Sequence, residues 1–159
     1  MRCSPGVPAD LIVVHHSRGG QTARLTAEVL AGAEEAAEAI TVAALDAFEA
    51  EAADVLSARA VVIGTPARFG YMSGATKDFL ERAYHPCLGR TQGLPFALYV
   101  KGDTDTLGAA ASVERIVAGL SWRRVLPVLE VVGTIGEADL AAARELGATL
   151  AAGLEAGIF

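Results

Sequence analysis

The chain has 159 residues, 52% of them hydrophobic, with a formal net charge of −6; its sequence pI is about 5.0 and its mean hydropathy +0.39. That length suits one domain with a buried core, and the absence of any Lys/Arg concentration excludes the electrostatic footprint of a nucleic-acid binder. The longest apolar stretches, such as Ala58 to Gly64 and Leu126 to Val132, fall well short of the roughly 20 residues a membrane helix needs, so the high hydropathy is read as strands buried on both faces.

Residues 1–9 read as a flexible lead-in without the apolar segment of a signal peptide. The two cysteines, Cys3 and Cys87, lack a nearby partner, which is the pattern of a cytoplasmic chain without disulfides or a metal site. Leu11 to His15 is a β-branched apolar run and the first expected strand. From Gln21 to Ala33 the apolar residues Leu25, Val29 and Leu30 recur at helical spacing. Ile40, Val42 and Leu45 mark a short second strand, and Phe48 to Ser57 is open between helix and irregular structure. Ala60 to Gly64 is the clearest strand; a ten-residue loop, Thr65 to Gly74, and a helix from Ala75 to Tyr84 follow it. After a connector from Pro86 to Gly93 come a strand from Leu94 to Val100, a polar loop from Lys101 to Thr106 and a helix from Leu107 to Leu120. A last strand, Val125 to Val132, leads into a helix from Glu137 to Leu154.

Strands thus alternate with helices about five times. That order predicts a doubly wound α/β fold with a five-stranded parallel sheet, in one domain spanning the chain. In such a sheet ligands bind beyond the carboxyl ends of the strands, at the point where the strand order reverses. Three segments lie there. After the first strand, His16 precedes Ser17, Arg18, Gly19, Gly20, Gln21 and Thr22: two glycines, two hydroxyls and an arginine at a helix N-terminus, suited to a phosphate monoester. Neither a P-loop nor a GxGxxG dinucleotide fingerprint is present. After the third strand, Thr65, Pro66, Ala67, Arg68, Phe69, Gly70, Tyr71 and Met72 supply aromatic and sulfur side chains for the wall of a flat ring. After the fourth, Gly102, Asp103 and Thr104 are expected to form a second wall. For each segment an ordinary βα turn, core packing or helix cap is the competing explanation.

Ser17 to Thr22 resembles the phosphate loop of flavodoxins, with Gly19 in place of the middle hydroxyl residue. Gly64 to Gly74, followed by Lys77, Phe79 and Leu80, is similar to the Gly-Thr-Pro-Thr-Arg-Phe-Gly-x-Met-x-Gly segment of NAD(P)H:quinone oxidoreductases of the tryptophan-repressor-binding-protein type, relatives of the NADPH-dependent FMN reductases. The segments after the third helix and the fourth strand are shorter than in those enzymes.

The resemblance implies a flavodoxin-like sheet of order 2-1-3-4-5 that holds FMN, with the phosphate on Ser17 to Thr22 and the ring between Pro66 to Met72 and Gly102 to Thr106. It also implies two-electron transfer from NAD(P)H to a quinone or similar small-molecule electron acceptor by a protein that is often an oligomer; the positive mean hydropathy leans toward a homodimer, and the cysteine usage toward a cytoplasmic protein. No residue is an obligatory acid or base, because the flavin carries the chemistry; Arg68 and His16 are the candidate auxiliaries. Two alternatives stand beside this reading: a one-electron flavodoxin carrier, and a flavin-free binding module of the same fold. A response-regulator receiver is excluded, since no aspartate ends the third strand.

Overall fold

The computed structural model describes residues 8–17 and 20–159. Arg18, Gly19, Cys3 and the first seven residues of the expected lead-in lie outside them. Ala9, also assigned to that lead-in, is instead buried.

The described residues form seven strands and five helices in the order β1 Leu11–His15, α1 Gln21–Ala36, β2 Val42–Asp46, α2 Ala52–Ser57, β3 Ala60–Arg68, β4 Tyr71–Met72, α3 Gly74–Cys87, β5 Pro95–Gly102, α4 Leu107–Gly119, β6 Arg123–Arg124, β7 Leu129–Val132 and α5 Glu137–Glu155. The sheet runs β2-β1-β3-β5-β6, with β7 also on β5 and β4 on β3. All pairings are parallel except that of β3 with β4.

The sheet is sorted by the alternation of side chains along each strand. Ile12, Val14, Val61, Ile63, Leu98 and Val100 face one way, into a core with Phe79 and Leu80 of α3 and Val113 and Val117 of α4. Leu11, Val13, Val62, Ala97 and Tyr99 face the other way, against Leu25 and Val29 of α1 and Leu146 and Leu150 of α5. Both faces are covered, which explains why the strands read as continuous apolar runs.

The expected five strands are corrected in two places. The final strand, expected over Val125 to Val132, begins only at Leu129 as β7, with a separate two-residue β6 ahead of the expected start; both pair with β5, and the break between them includes Pro127, which has no N–H to give a ladder. The supposed loop from Thr65 is extended chain. β3 continues to Arg68, then doubles back antiparallel as β4, with Ala67 opposite Met72 and Arg68 opposite Tyr71. Pro66 is tolerated in β3 for a geometric reason. The Gly64 carbonyl, two residues earlier and on the same strand edge, accepts from the His16 N–H at 3.2 Å, and the β1 ladder ends at that level. The missing N–H of Pro66 therefore faces a side where no strand follows.

Helix α3 runs through Pro86 to Cys87, three residues beyond the expected end. The proline falls in the last turn, where one forgone helix bond is offset by burial of Cys87. Among the described residues no helix is long and apolar enough to cross a membrane.

Helices α1 and α5 pack backbone to backbone at two glycines. A Cβ on Gly147 would lie 1.9 Å from the Val29 carbonyl oxygen, and one on Gly32 would lie 1.9 Å from that of Arg144. Gly147→Ala is therefore expected to destabilise the protein by about 1–3 kcal/mol, despite alanine's better helix propensity. Gly74→Ala, where nothing lies within 4 Å, is the control and should be neutral or slightly stabilising. Urea unfolding of both variants checks this.

Candidate functional site

A cleft of about 200 Å³ opens at the carboxyl ends of β1, β3 and β5, lined by Ser17, Gln21, Thr22, Pro66, Arg68, Lys101 and Asp103. It lies where β1 and β3, neighbours in the sheet, lead into chain running in opposite directions along the sheet, the topological position at which doubly wound folds bind ligands. The gap beside Pro66, left where β1 stops, becomes one wall of the cleft.

The first turn of α1 forms its floor. Gly20, at φ +85°, precedes the helix, and no side chain caps it. No acidic residue stands in that turn either. The other helices differ. Ser73 caps α3, Asp54 serves α2, Asp105 accepts from the first N–H of α4 at 2.8 Å, and Glu137 and Asp139 begin α5. Among the described residues, α1 alone begins with neither a side-chain cap bond nor an acidic residue at its first turn, leaving its positive dipole end without a protein anion.

The height of α1 is fixed by a buried chain of hydroxyls. The Thr26 Oγ1 donates to the Thr22 carbonyl at 3.1 Å, so its proton is spent, and the fully buried Tyr99 hydroxyl donates to Thr26 Oγ1 at 2.5 Å. Burial raises the Tyr99 phenol far above its ordinary pKa, keeping it a neutral donor. The Tyr99 ring needs Gly64 beneath it, because a Cβ there would sit 2.0 Å from the ring.

The hairpin that follows β3 is held by a second hydroxyl cluster. Thr65 Oγ1 donates to the Pro66 carbonyl at 3.0 Å and accepts from the Ser73 N–H at 3.0 Å and from Thr76 Oγ1 at 3.1 Å. Thr65, expected at the ligand, is thus fully buried with its hydroxyl engaged in shaping the segment. The expected aromatic wall is also redistributed. Strand alternation in the hairpin sends Met72 into the core and leaves Tyr71 exposed. Phe69 and Gly70 form the two-residue turn, both at positive φ, 52° and 69°, as a type I′ turn requires; Phe69 is left fully exposed at the tip. Gly70 abuts α4, where a Cβ on Gly108 would lie 2.0 Å from its carbonyl oxygen.

Six of the residues expected at the site thus line the cleft together: Ser17, Gln21, Thr22, Pro66, Arg68 and Asp103. Ala67, Phe69, Gly70, Tyr71, Met72, Gly102 and Thr104 are not among its lining residues, and neither is His16, whose ring meets Phe48 edge-on at 5.7 Å. Lys101 was missed, because the strand was expected to stop at Val100. The available signal was a lysine directly continuing the apolar run Pro95 to Val100. Its side chain is only 7% exposed, and its ammonium donates to Asp103 Oδ1 at 3.0 Å and to the Gly102 carbonyl at 3.1 Å. These bonds, with Arg68 further off, hold the Asp103 carboxyl below the usual range.

No protein-family model matches the sequence, and no curated protein is similar to it. Solved structures are. A flavodoxin from the domain Archaea superposes with a TM-score of 0.76 at 18% identity, over 89% of this chain and 95% of that one. The fold is that of the flavodoxins. A flavodoxin, WrbA-like protein from Agrobacterium tumefaciens superposes with a TM-score of 0.71 at 22% identity, over 90% of this chain and 95% of that chain. The flavodiiron protein from Giardia intestinalis superposes at 0.76 and 18% identity, over 89% of this chain and 35% of that longer one. The likeness to all three is one of fold.

Two predictions follow from the local geometry. Phe69→Gly relieves a side chain held at positive φ and should stabilise the protein by about 1 kcal/mol in urea unfolding. His15, whose Nδ1 is buried without a partner, has its pKa lowered first by burial, with Asp46 opposing. The unfolded chain then binds the extra proton, so stability falls as pH drops through about 6.5 toward the lower folded value. A His15→Asn variant should show a shallower decline in unfolding midpoint between pH 7.5 and 5.5.

Proposed function

We propose that this protein binds FMN in the cleft and passes electrons from NAD(P)H to a quinone or similar small acceptor. The observation that carries the proposal is the cleft itself: uncapped helix amides, two hydroxyls, an amide side chain and two cations converge at the switch point of a flavodoxin fold. That donor set fits a phosphate monoester. At about 200 Å³ the cleft is smaller than the roughly 300–1,000 Å³ usual for an enclosed ligand. A flavin held there by its phosphate end has part of its surface outside the cleft, as exchange of electrons with a second molecule requires.

When bound, FMN supplies the hydride and electron chemistry. The chain's own part is to hold and orient. Ser17, Thr22 and the α1 amides bind the anionic end. The Pro66 backbone, with no N–H of its own, gives a rigid edge at the mouth. Arg68, exposed beside Asp103, places a permanent positive charge where a reduced ring or a nicotinamide nucleotide phosphate would be stabilised.

The test is an absorbance spectrum of the purified protein with added FMN, followed by anaerobic addition of NADH or NADPH. Expected are a bound-flavin spectrum with vibronic structure, and bleaching by one of the two nucleotides with electrons taken up as a pair. A protein that leaves added FMN unchanged in spectrum and fluorescence defeats the proposal. Binding with no bleaching by either nucleotide, and reduction in two separate one-electron waves, identifies a one-electron carrier instead.

A further inference from the structure

The buried lysine has no structural return. Among the described residues its ammonium bonds the next residue's carbonyl, Gly102, and the carboxylate two residues on, Asp103. Neither bond joins two elements of the fold. Two other buried polar groups do: the Tyr99 hydroxyl ties β5 to α1, and the Trp122 Nε1 donates to Thr91 across 31 residues at 2.8 Å. Taking an ammonium out of water is costly unless it is paired, and here its ionic partner is a carboxylate that is itself 89% exposed. A methionine in the same place would keep the apolar stem and desolvate no charge, so stability of the fold does not explain the charge.

Its position explains more. Side chains alternate along β5, so Lys101 leaves the sheet on the same face as Ala97 and Tyr99, the face covered by α1 and α5. Tyr99 meets α1 at Thr26. Two residues further along the strand is about 6.6 Å, close to the roughly 5.4 Å of one helical turn, and one turn back from Thr26 toward the helix start is Thr22. Lys101 thus arrives beside the first turn of α1, and both Lys101 and Thr22 line the cleft. Asp103 stands at the outer side of the ammonium, between it and solvent.

We infer that Lys101 is the anion-recognition group of this cleft, held ready by Asp103 and handed from that carboxylate to the phosphate of the ligand on binding. This rests on the FMN reading for the identity of the ligand, but the anion site itself is a separate claim. The lysine charge stands in for the phosphate donor that the glycine-rich segment lacks at Gly19. No bond is made or broken: one ion pair is exchanged for another, and the displaced carboxylate, already at the surface, moves into water at little cost. The exchange also discriminates. A neutral ligand end cannot displace Asp103, so riboflavin gains nothing from Lys101 and FMN does.

The experiment measures Kd for FMN and for riboflavin by fluorescence quenching in wild type, Lys101→Met, Lys101→Arg and Asp103→Asn, with thermal unfolding as a check of the fold. Loss of a charge-assisted contact weakens FMN about 10- to 100-fold in Lys101→Met and leaves riboflavin within about 2-fold. Lys101→Arg retains most of the FMN preference. Asp103→Asn, at an exposed position that does not threaten folding, tightens FMN several-fold by removing the competitor. An unchanged ratio of FMN to riboflavin affinity in Lys101→Met overturns the inference, as does weaker FMN binding in Asp103→Asn. Should Lys101→Met fail to fold, the arginine and asparagine variants decide. If wild type binds neither flavin, the FMN reading falls, and inorganic phosphate decides the anion site: a rise in unfolding temperature with phosphate in wild type that vanishes in Lys101→Met and persists in Lys101→Arg upholds it, and no rise in wild type, or no loss in Lys101→Met, sinks it.

Discussion

One hydroxyl-to-hydroxyl contact sets the geometry on which the site depends. The Tyr99 phenol is wholly buried under α1 and spends its proton on Thr26, which spends its own on the carbonyl of Thr22. A buried phenol without a partner would cost on the order of 1–3 kcal/mol, so strand β5 and helix α1 are held at one relative height. That height brings the open first turn of α1 level with the ends of β1, β3 and β5. Gly64 is part of the same constraint, because no residue with a Cβ leaves room for the Tyr99 ring.

A second layer of constraint works on the other side of the cleft. Thr65, Ser73 and Thr76 satisfy one another around the start of α3, and the hairpin between them leans on α4 through Gly70 and Gly108. Arg82 adds to this from α3 by donating to the Ala47 and Ala50 carbonyls at 2.8 and 2.7 Å, which fixes the turn after β2. The residues that face the cleft are therefore few and mostly polar, while the residues that position them are buried hydroxyls and close glycine contacts. Lys101 is the exception, a buried charge that positions nothing.

Much of this was legible in the sequence. The alternation of apolar strands with amphipathic helices follows from local spacing, and apolar runs such as Leu11 to His15 leave little choice of conformation. The presence of Ser17, Gln21, Thr22 and Arg68 at the cleft follows from the rule that ligands sit at strand carboxyl ends. What was not legible depends on neighbours. Pro66 reads as part of a loop, and it continues β3 because β1 has ended beside it. Phe69 and Met72 read as one aromatic and sulfur wall, and a tight hairpin sends one into solvent and the other into the core.

The sequence by itself determined the order of the elements and that the strands are buried on both faces, because both are set by residue spacing within a few positions along the chain. It also determined which segments meet at the switch point, since that is a matter of connectivity. Only the tertiary structure decided which side chains of those segments share a cleft. Thr65 and Lys101 show why. A hydroxyl predicted for a ligand is consumed by three partners from its own chain, and a lysine that reads as the start of a loop is carried by strand pairing to the first turn of α1. The lysine's place depends on contacts between residues far apart in sequence, and the hydroxyl's on a hairpin that brings Ser73 and Thr76 back to Thr65, neither of which a pattern within a few positions encodes.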